Sequence, residues 1–310
     1  MSGPKVKDEK QNMGDFAGFF HLKYLPTSNL SLMPGLRYAS NTGYTTPLVS
    51  SLNAKWDALQ GLSLRGSFAK GFRAPDIKEL YMEFVNSNHE IYGNENLEAE
   101  SSYNYNASID YKFIHKNSVF TLSSALFYND IKNMISLIQR AGETAYSYNN
   151  IDKYKTSGLN INFDYKYKNI INPYIGYGYT GRYNSYTNVN DGRKFNPTHD
   201  FFAGIKATEP NTKIKLVADY KLNGKLPYFY TDSNGDIVEG TQESYNMLNL
   251  SLSRQFNNPN INVVLGMKNA FDVKTITRDS ASSGSHSGGT GVPIAYGRAF
   301  YISLIYRFYK

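Results

Sequence analysis

At 310 residues the chain could bury a large core, yet 41% hydrophobic content, 27 Tyr against one Trp and a negative mean hydropathy describe surfaces wetted on one side. The absence of cysteine excludes thiol catalysis, disulfides and Cys-type zinc sites. The net charge of +7 is scattered instead of gathered into a basic stripe, which argues against nucleic acid as a partner. No run approaches the roughly 18 apolar residues of a membrane helix, so any spanning must be done by strands.

Taken in chain order, residues 1–12 carry Lys5, Lys7, Asp8, Glu9 and Lys10 with no apolar stretch and no small-residue cleavage site, unlike a secretory signal. Residues 1–14 read as disordered or as a remnant of an extracellular loop, and 15–310 as the folded unit. A first strand spans 16–24. Clear alternation follows in Tyr103, Tyr105, Ala107, Ile109, Tyr111 and Phe113 against Asn104, Asn106, Ser108, Asp110 and Lys112. It recurs in Leu159, Ile161, Phe163, Tyr165 and Tyr167 against Asn160, Asn162, Asp164 and Lys166. At the end, Phe300, Ile302, Leu304, Tyr306 and Phe308 alternate with Tyr301, Ser303, Ile305 and Arg307. Long strands with one apolar, tyrosine-rich face and one polar face describe a wall between lipid and water.

Turn signals predict short connections near 26–29, 57–61, 115–117, 168–169, 209–212 and 257–260, and long ones near 39–45, 71–99, 131–152, 182–197, 224–243 and 273–294. Strict alternation of short and long connections trims one rim and elaborates the other, the pattern of outer-membrane barrels with extracellular loops. Function belongs on the long-loop rim. The expected class is all-β, with about 13 antiparallel strands, the last near 295–308. Single-chain barrels have even strand numbers with both ends on the short-turn side. The odd count therefore predicts the C-terminal part of a larger barrel.

The segment Gly71-Phe72-Arg73-Ala74-Pro75, followed by Glu79-Leu80-Tyr81, Gly93-Asn94-Glu95-Asn96-Leu97 and Glu100, closely resembles the barrel of TonB-dependent outer-membrane receptors. Gly35-Leu36-Arg37-Tyr38, Lys268-Asn269-Ala270-Phe271-Asp272 and Gly297-Arg298 before a terminal strand ending at Phe308 extend the resemblance from about residue 15 onward. Two departures are Glu95, where a proline is usual, and Tyr309 and Lys310 beyond the terminal aromatic. The resemblance implies a transmembrane 22-stranded barrel whose plug and first strands lie outside this sequence. It also implies an outer-membrane location, TonB-energised import of a scarce nutrient, and Phe308 as the signal to the barrel-assembly machinery. Such a portion contributes wall and ligand-binding loops but not the gate, and is expected to be inactive alone. In the family, Phe72, Arg73, Ala74, Pro75, Asn94, Asn96 and Leu97 anchor the loop structurally.

His89 lies between the two motifs, an arrangement similar to the haem-uptake branch. A neutral imidazole is a competent axial ligand for haem iron, and Tyr81 or Tyr92 could supply a phenolate. Haem would be a transported ligand, with no intrinsic cofactor and no resident metal. A solvated loop histidine is the plainer reading of His89, and siderophore or cobalamin uptake are the alternative cargoes. His286 sits in a Gly/Ser run that reads as a flexible tip, and His21, His115 and His199 read as structural. The run from Asp232 to Asp236 with Glu239 fails the spacing of a calcium loop and reads as a turn.

Arg73 with Asp76 and Glu79 invites a catalytic reading, but no histidine is paired with a nucleophile and acid at recognisable spacing. No G-x-S-x-G, H-E-x-x-H or phosphate-cradling glycine loop occurs either, so no enzymatic activity is expected. A passive porin is the alternative, because alternation alone does not distinguish an open channel from a plugged one.

Overall fold

A computed structural model describes residue 7 and residues 10–86, 90–139, 145–184, 195–231, 237–257, 260–277, 291–306 and 308. The wall begins with β1 (Asp15–His21) and β2 (Tyr24–Thr27), two lengths of the single strand expected over 16–24. The ladder is interrupted at residues 22 and 23, and both lengths pair with β3 (Leu30–Asn41). β4 (Val49–Leu59) and β5 (Leu62–Arg73) complete two hairpins. Inside the connection that follows lie a one-turn helix, α1 (Ile77–Tyr81), and a small hairpin of β6 (Glu83–Val85) and β7 (Glu90–Tyr92). The wall resumes with β8 (Glu100–His115), β9 (Ser118–Gln139), β10 (Tyr146–Tyr167), β11 (Ile171–Asn184), β12 (Asn196–Thr208) and β13 (Ile214–Asn223).

Beyond β13, an outer hairpin of β14 (Leu226–Thr231) and β15 (Ile237–Gln242) precedes the wall strands β16 (Tyr245–Asn257) and β17 (Asn260–Lys268). A second hairpin, β18 (Thr275–Thr277) with β19 (Gly291–Pro293), leads to the last strand, β20 (Ala299–Tyr306). Thirteen strands thus lie side by side in one antiparallel sheet in the order β1-β3-β4-β5-β8-β9-β10-β11-β12-β13-β16-β17-β20, with β1 and β20 at its edges.

The register carries the alternation through the middle of the sheet, from β5 to β12. From Leu64 the lipid-side row runs through Ile109, Ser124, Ile161, Tyr177 and Phe201, each the direct partner of the next. On the other face Arg65, Ser108 and Ala125 begin the equivalent polar row. Inside the sheet Tyr105 and Ile109 of the apolar face are each 47% exposed although strands pair on both sides of them, the condition of side chains that face lipid. No helix among the described residues is long and apolar enough to cross a membrane; the strands would do the crossing.

Short turns are closed by one residue each in the left-handed region: Gly61 (φ 81°), Lys116 (50°), Lys168 (48°) and Lys213 (56°). At Gly61 a Cβ would sit 2.1 Å from the Lys112 carbonyl oxygen, so this turn requires glycine.

Four departures from the sequence reading concern the long-loop rim. The stretch 131–152 is no open loop: β9 and β10 stay paired up to Gln139 and Tyr146. The connections at 224–243 and 273–294 contain the β14–β15 and β18–β19 hairpins. Helix α1 and the β6–β7 hairpin occupy 71–99, and the final strand starts at Ala299, later than 295. Strands continuing above the bilayer have no lipid to face, so period-2 hydrophobicity lapses while backbone pairing persists.

Most buried apolar side chains also lie on this rim. Leu80, Leu97, Ile138, Ala145 and Ile151 are buried, as is Pro75. The long loop and the tall ends of β9 and β10 thus form a small water-excluding core of their own.

Candidate functional site

The connection from Ala74 to Ala99 is held by a carboxylate-rich clamp around Arg73. At the outer end of β5, Arg73 is the direct register partner of Glu100 at the start of β8. Its guanidinium grips Glu100 two-pronged, with Nε to Oε2 at 2.9 Å and Nη2 to Oε1 at 2.6 Å. Nη1 turns the other way to Glu79 Oε2 at 2.7 Å. Both carboxylates are mostly buried, at 13 and 18% side-chain exposure, and would be costly there without the cation. Glu100 also accepts the backbone N–H of Ile135 at 2.6 Å, tying the clamp to β9.

Glu79 serves twice. Asp76 caps α1 by accepting the Glu79 N–H at 2.8 Å, and the Glu79 carboxylate accepts the Asp76 N–H at 2.8 Å, a reciprocal capping box. Leu80 points into the small core, and Pro75 fixes the entry to the helix. The chain after β7 returns under α1: Asn94 N–H donates to the Glu79 carbonyl at 2.8 Å, and Gly93 N–H to the Met82 carbonyl at 2.6 Å. A Cβ on Gly93 would lie 2.4 Å from the Leu80 carbonyl oxygen, a backbone approach that only glycine permits.

The second motif bridges this loop to the tall strands. Asn94 Nδ2 donates to the Tyr148 carbonyl at 2.9 Å, and Asn96 N–H to Asn94 Oδ1 at 3.0 Å. Leu97 is buried, and its carbonyl accepts the Tyr44 hydroxyl at 3.0 Å. Asn150 completes the seam: its Oδ1 accepts the Glu98 N–H at 2.8 Å, and its Nδ2 donates to the carbonyls of Glu98 and Asn133 at 3.0 and 2.7 Å. Burial, together with the neighbouring Tyr81 and Glu79, pushes the Tyr44 hydroxyl above its ordinary pKa and keeps it protonated as a donor.

Of the expected motif residues, Arg73, Asn94 and Asn96 make the hydrogen bonds described and Pro75 and Leu97 are buried, while Phe72 pairs in register with Ser101 of β8. Among the candidate ligand contacts, Tyr81 ends α1, half-buried, and its carbonyl accepts the Lys7 N–H at 2.9 Å. Tyr92 is half-buried in β7, opposite Glu83 and beside Ser147 of β10. His89, His286, Tyr309, Lys310 and the run from 232 to 236 lie outside the described residues. Phe308 is 85% exposed, its ring edge-on to Tyr306 with centroids 4.6 Å apart.

Sequence reading missed Tyr44, Asn133, Asn150 and Tyr148, which sit in the seam but fall in no motif. A second knot lies farther along the same rim, in the connection from β17 to β20. Asn269 (φ 50°) is buried, accepts the Val273 N–H at 3.1 Å and donates to the Val273 carbonyl at 2.7 Å. Arg298 N–H donates to Asp272 at 2.7 Å, which with Lys274 holds that exposed carboxyl below its usual range.

Comparison with known proteins matches residues 4–270 to the family described as TonB dependent receptor-like, beta-barrel. A haemoglobin and haemoglobin-haptoglobin-binding protein of Haemophilus ducreyi is 31% identical over 125 residues, 36% of this chain and 12% of that protein. Its counterpart C from Haemophilus influenzae is 33% identical over 89 residues, 29% of this chain and 8% of its own length. The siderophore receptor PirA from Pseudomonas aeruginosa superposes over 98% of this chain with a TM-score of 0.66 and 19% identity. The FrpB iron transporter from Neisseria meningitidis does so over 96%, with a TM-score of 0.67 and 14% identity. The chain covers 48 and 45% of those two solved chains, about half of each.

Proposed function

Since the chain belongs to the TonB-dependent receptor family, whose barrel its residues 4–270 match, we propose that it supplies the wall and outer loops of a receptor importing an iron-bearing nutrient, with haem the favoured cargo. The family is one of outer-membrane transport receptors, not an enzyme class, and membership sets aside the passive-pore reading. The observation that carries the cargo is local. In sequence His89 lies between β6 and β7, and the loop on either side of them is anchored through Arg73, Asn94 and Asn150. Similarity to haemoglobin-binding proteins over part of the chain supports the same choice. Siderophore or cobalamin uptake would use the same platform without the imidazole.

In this reading the platform presents His89 to haem iron, with Tyr81 or Tyr92 as the oxygen alternative. TonB would act through a plug, barrel-assembly machinery would read the end near Phe308, and the strands would face outer-membrane lipid. Wall and loops alone, without a gate, would not transport.

Haem titration tests the cargo. The 310-residue chain in detergent, and a receptor carrying it with a plug, should shift the Soret band on adding haem; His89→Ala should abolish or move that shift. An unchanged Soret response in the variant overturns the role of His89, and no response in either wild-type protein overturns haem.

A further inference from the structure

The short turns repeat a residue that turn geometry does not ask for. The left-handed positions of the β8–β9, β10–β11 and β12–β13 turns are held by Lys116, Lys168 and Lys213, at φ 50, 48 and 56°. Glycine and asparagine take that region most readily, and Asn117 and Asn169 stand one residue further on in the first two turns. A lysine there does nothing for the backbone; what it brings is an ammonium group. Backbone bonds knit the turns together, with Lys168 N–H donating to the Asn117 carbonyl at 2.7 Å and Thr208 N–H to the Ile170 carbonyl at 2.7 Å. The exposed side chains of Lys116 and Lys168 therefore leave adjoining turns of one rim.

The chain around these two turns is acid-free: no carboxylate occurs between residues 111 and 129 or between 165 and 190. Beside the lysines, on the lipid face, lies a band of rings. Phe113 packs against Phe120 and Phe120 against Tyr165, at centroid distances of 6.2 and 4.7 Å, and His115 stacks on Phe113 at 6.3 Å. Lys168 folds back over Tyr167, its Nζ 5.6 Å from the ring centroid. That contact holds the ammonium at the edge of the band. Aromatic bands mark the membrane–water boundary in outer-membrane barrels, so the lysines stand where the headgroups of the leaflet opposite the long loops begin.

We propose that this rim binds the phosphodiester of an anionic glycerophospholipid in the leaflet on the short-turn side, through Lys116 and Lys168. The two ammonium groups hold the phosphate, the lysine stems lie against the rings, and the acyl chains run along Phe113, Phe120 and Tyr165. The occupant is a membrane lipid because the cations are continuous with that ring band and with the apolar row of Ile109 and Ile161 beyond it. An anionic headgroup fits better than a zwitterionic one because the turns offer no carboxylate to a headgroup ammonium. The site lies at the opposite rim from the loop platform; it needs the wall to face lipid but no particular cargo.

The test is run on the 310-residue chain in neutral detergent and on a receptor carrying it with a plug, so that it does not hinge on the shorter protein folding alone. Phosphatidylglycerol or phosphatidylethanolamine is added, and the lipid retained through gel filtration is measured, with glycerol 3-phosphate as competitor. Wild type should retain phosphatidylglycerol in preference. Lys116→Asn combined with Lys168→Asn removes both charges while suiting the left-handed backbone, and should lower that retention about thirtyfold, each single substitution about fivefold. The paired Arg replacements should keep it. Lys112→Gln with Lys166→Gln, the same change of charge on the polar face of the same strands, should leave it at the wild-type level. Equal retention of the two lipids, equal retention in wild type and the Asn pair, or equal loss in the Lys112 and Lys166 pair overturns the proposal. Displacement by glycerol 3-phosphate at matched concentration also overturns it, by showing a site for a free anion.

Discussion

Arg73 and Glu100 face each other as direct partners across the β5–β8 ladder, and the same guanidinium that closes this pair also reaches Glu79 on α1. One side chain thus joins the wall to the loop it emits. Arg73→Ala strands two mostly buried carboxylates; allowing for its own exposure at the rim, the loss should be about 1–2 kcal/mol. It should appear as faster proteolysis within residues 74–99 with the strands unaffected. Arg73→Lys should recover only part, because an ammonium cannot make the two-pronged contact.

Gly93→Ala tests whether the two motifs must touch. With backbone atoms of Leu80 and Tyr81 at 2.4 to 2.6 Å from the added methyl, the return strand has to lift off α1. Amide exchange at Gly93 and Asn94 should accelerate while exchange in β8 and β9 stays at wild-type rates.

On the polar face, aromatic rings lie flat over the glycines directly opposite them: Phe127 over Gly158, Phe202 over Gly176, Tyr174 over Gly204 and Tyr301 over Gly266. A Cβ on Gly158 would sit 2.3 Å from Phe127 Cζ, so Gly158→Ala should swing that ring off the wall at a cost of about 1–3 kcal/mol. Phe127→Leu in the same chain should relieve the clash. A double-mutant cycle read from urea unfolding would show the coupling, and additive effects would refute it.

Glu209 closes the β12–β13 turn by accepting from the Thr212 hydroxyl and N–H, each at 2.5 Å, and the Asn211 N–H at 3.1 Å. These donors, the Thr212 hydroxyl first, hold its carboxyl below the ordinary range. A depressed acid stabilises above its unfolded value, about 4.3, and loses that contribution as pH falls through the folded value. Carbon-detected NMR titration should place the Glu209 midpoint below ordinary glutamate, and Thr212→Ala should raise it.

The sequence exposed the wall more fully than the platform, for reasons visible in particular residues. Tyr103 to Phe113 has lipid on one side and water on the other along its length, so each residue reports its face, and about thirteen strands could be counted. Above the bilayer that contrast ends. Ile135, Leu137 and Ile138 follow no period of 2, and the tall hairpin read as a loop. Within the platform, Glu79 reaches Arg73 and caps α1 over spacings of six and three residues, which local sequence can suggest. Tyr44 to Leu97 and Asn150 to Glu98 span 53 and 52 residues, and their meeting depends on strand pairing that a single sequence does not spell out.

β9 and β10 each run 22 residues. At about 3.4 Å per residue and a tilt near 40°, they climb roughly 55 Å, about twice the ~25 Å apolar band. The barrel therefore raises a paired mast well clear of the lipid. A molecule approaching the long-loop rim would therefore meet paired backbone before it meets the wall.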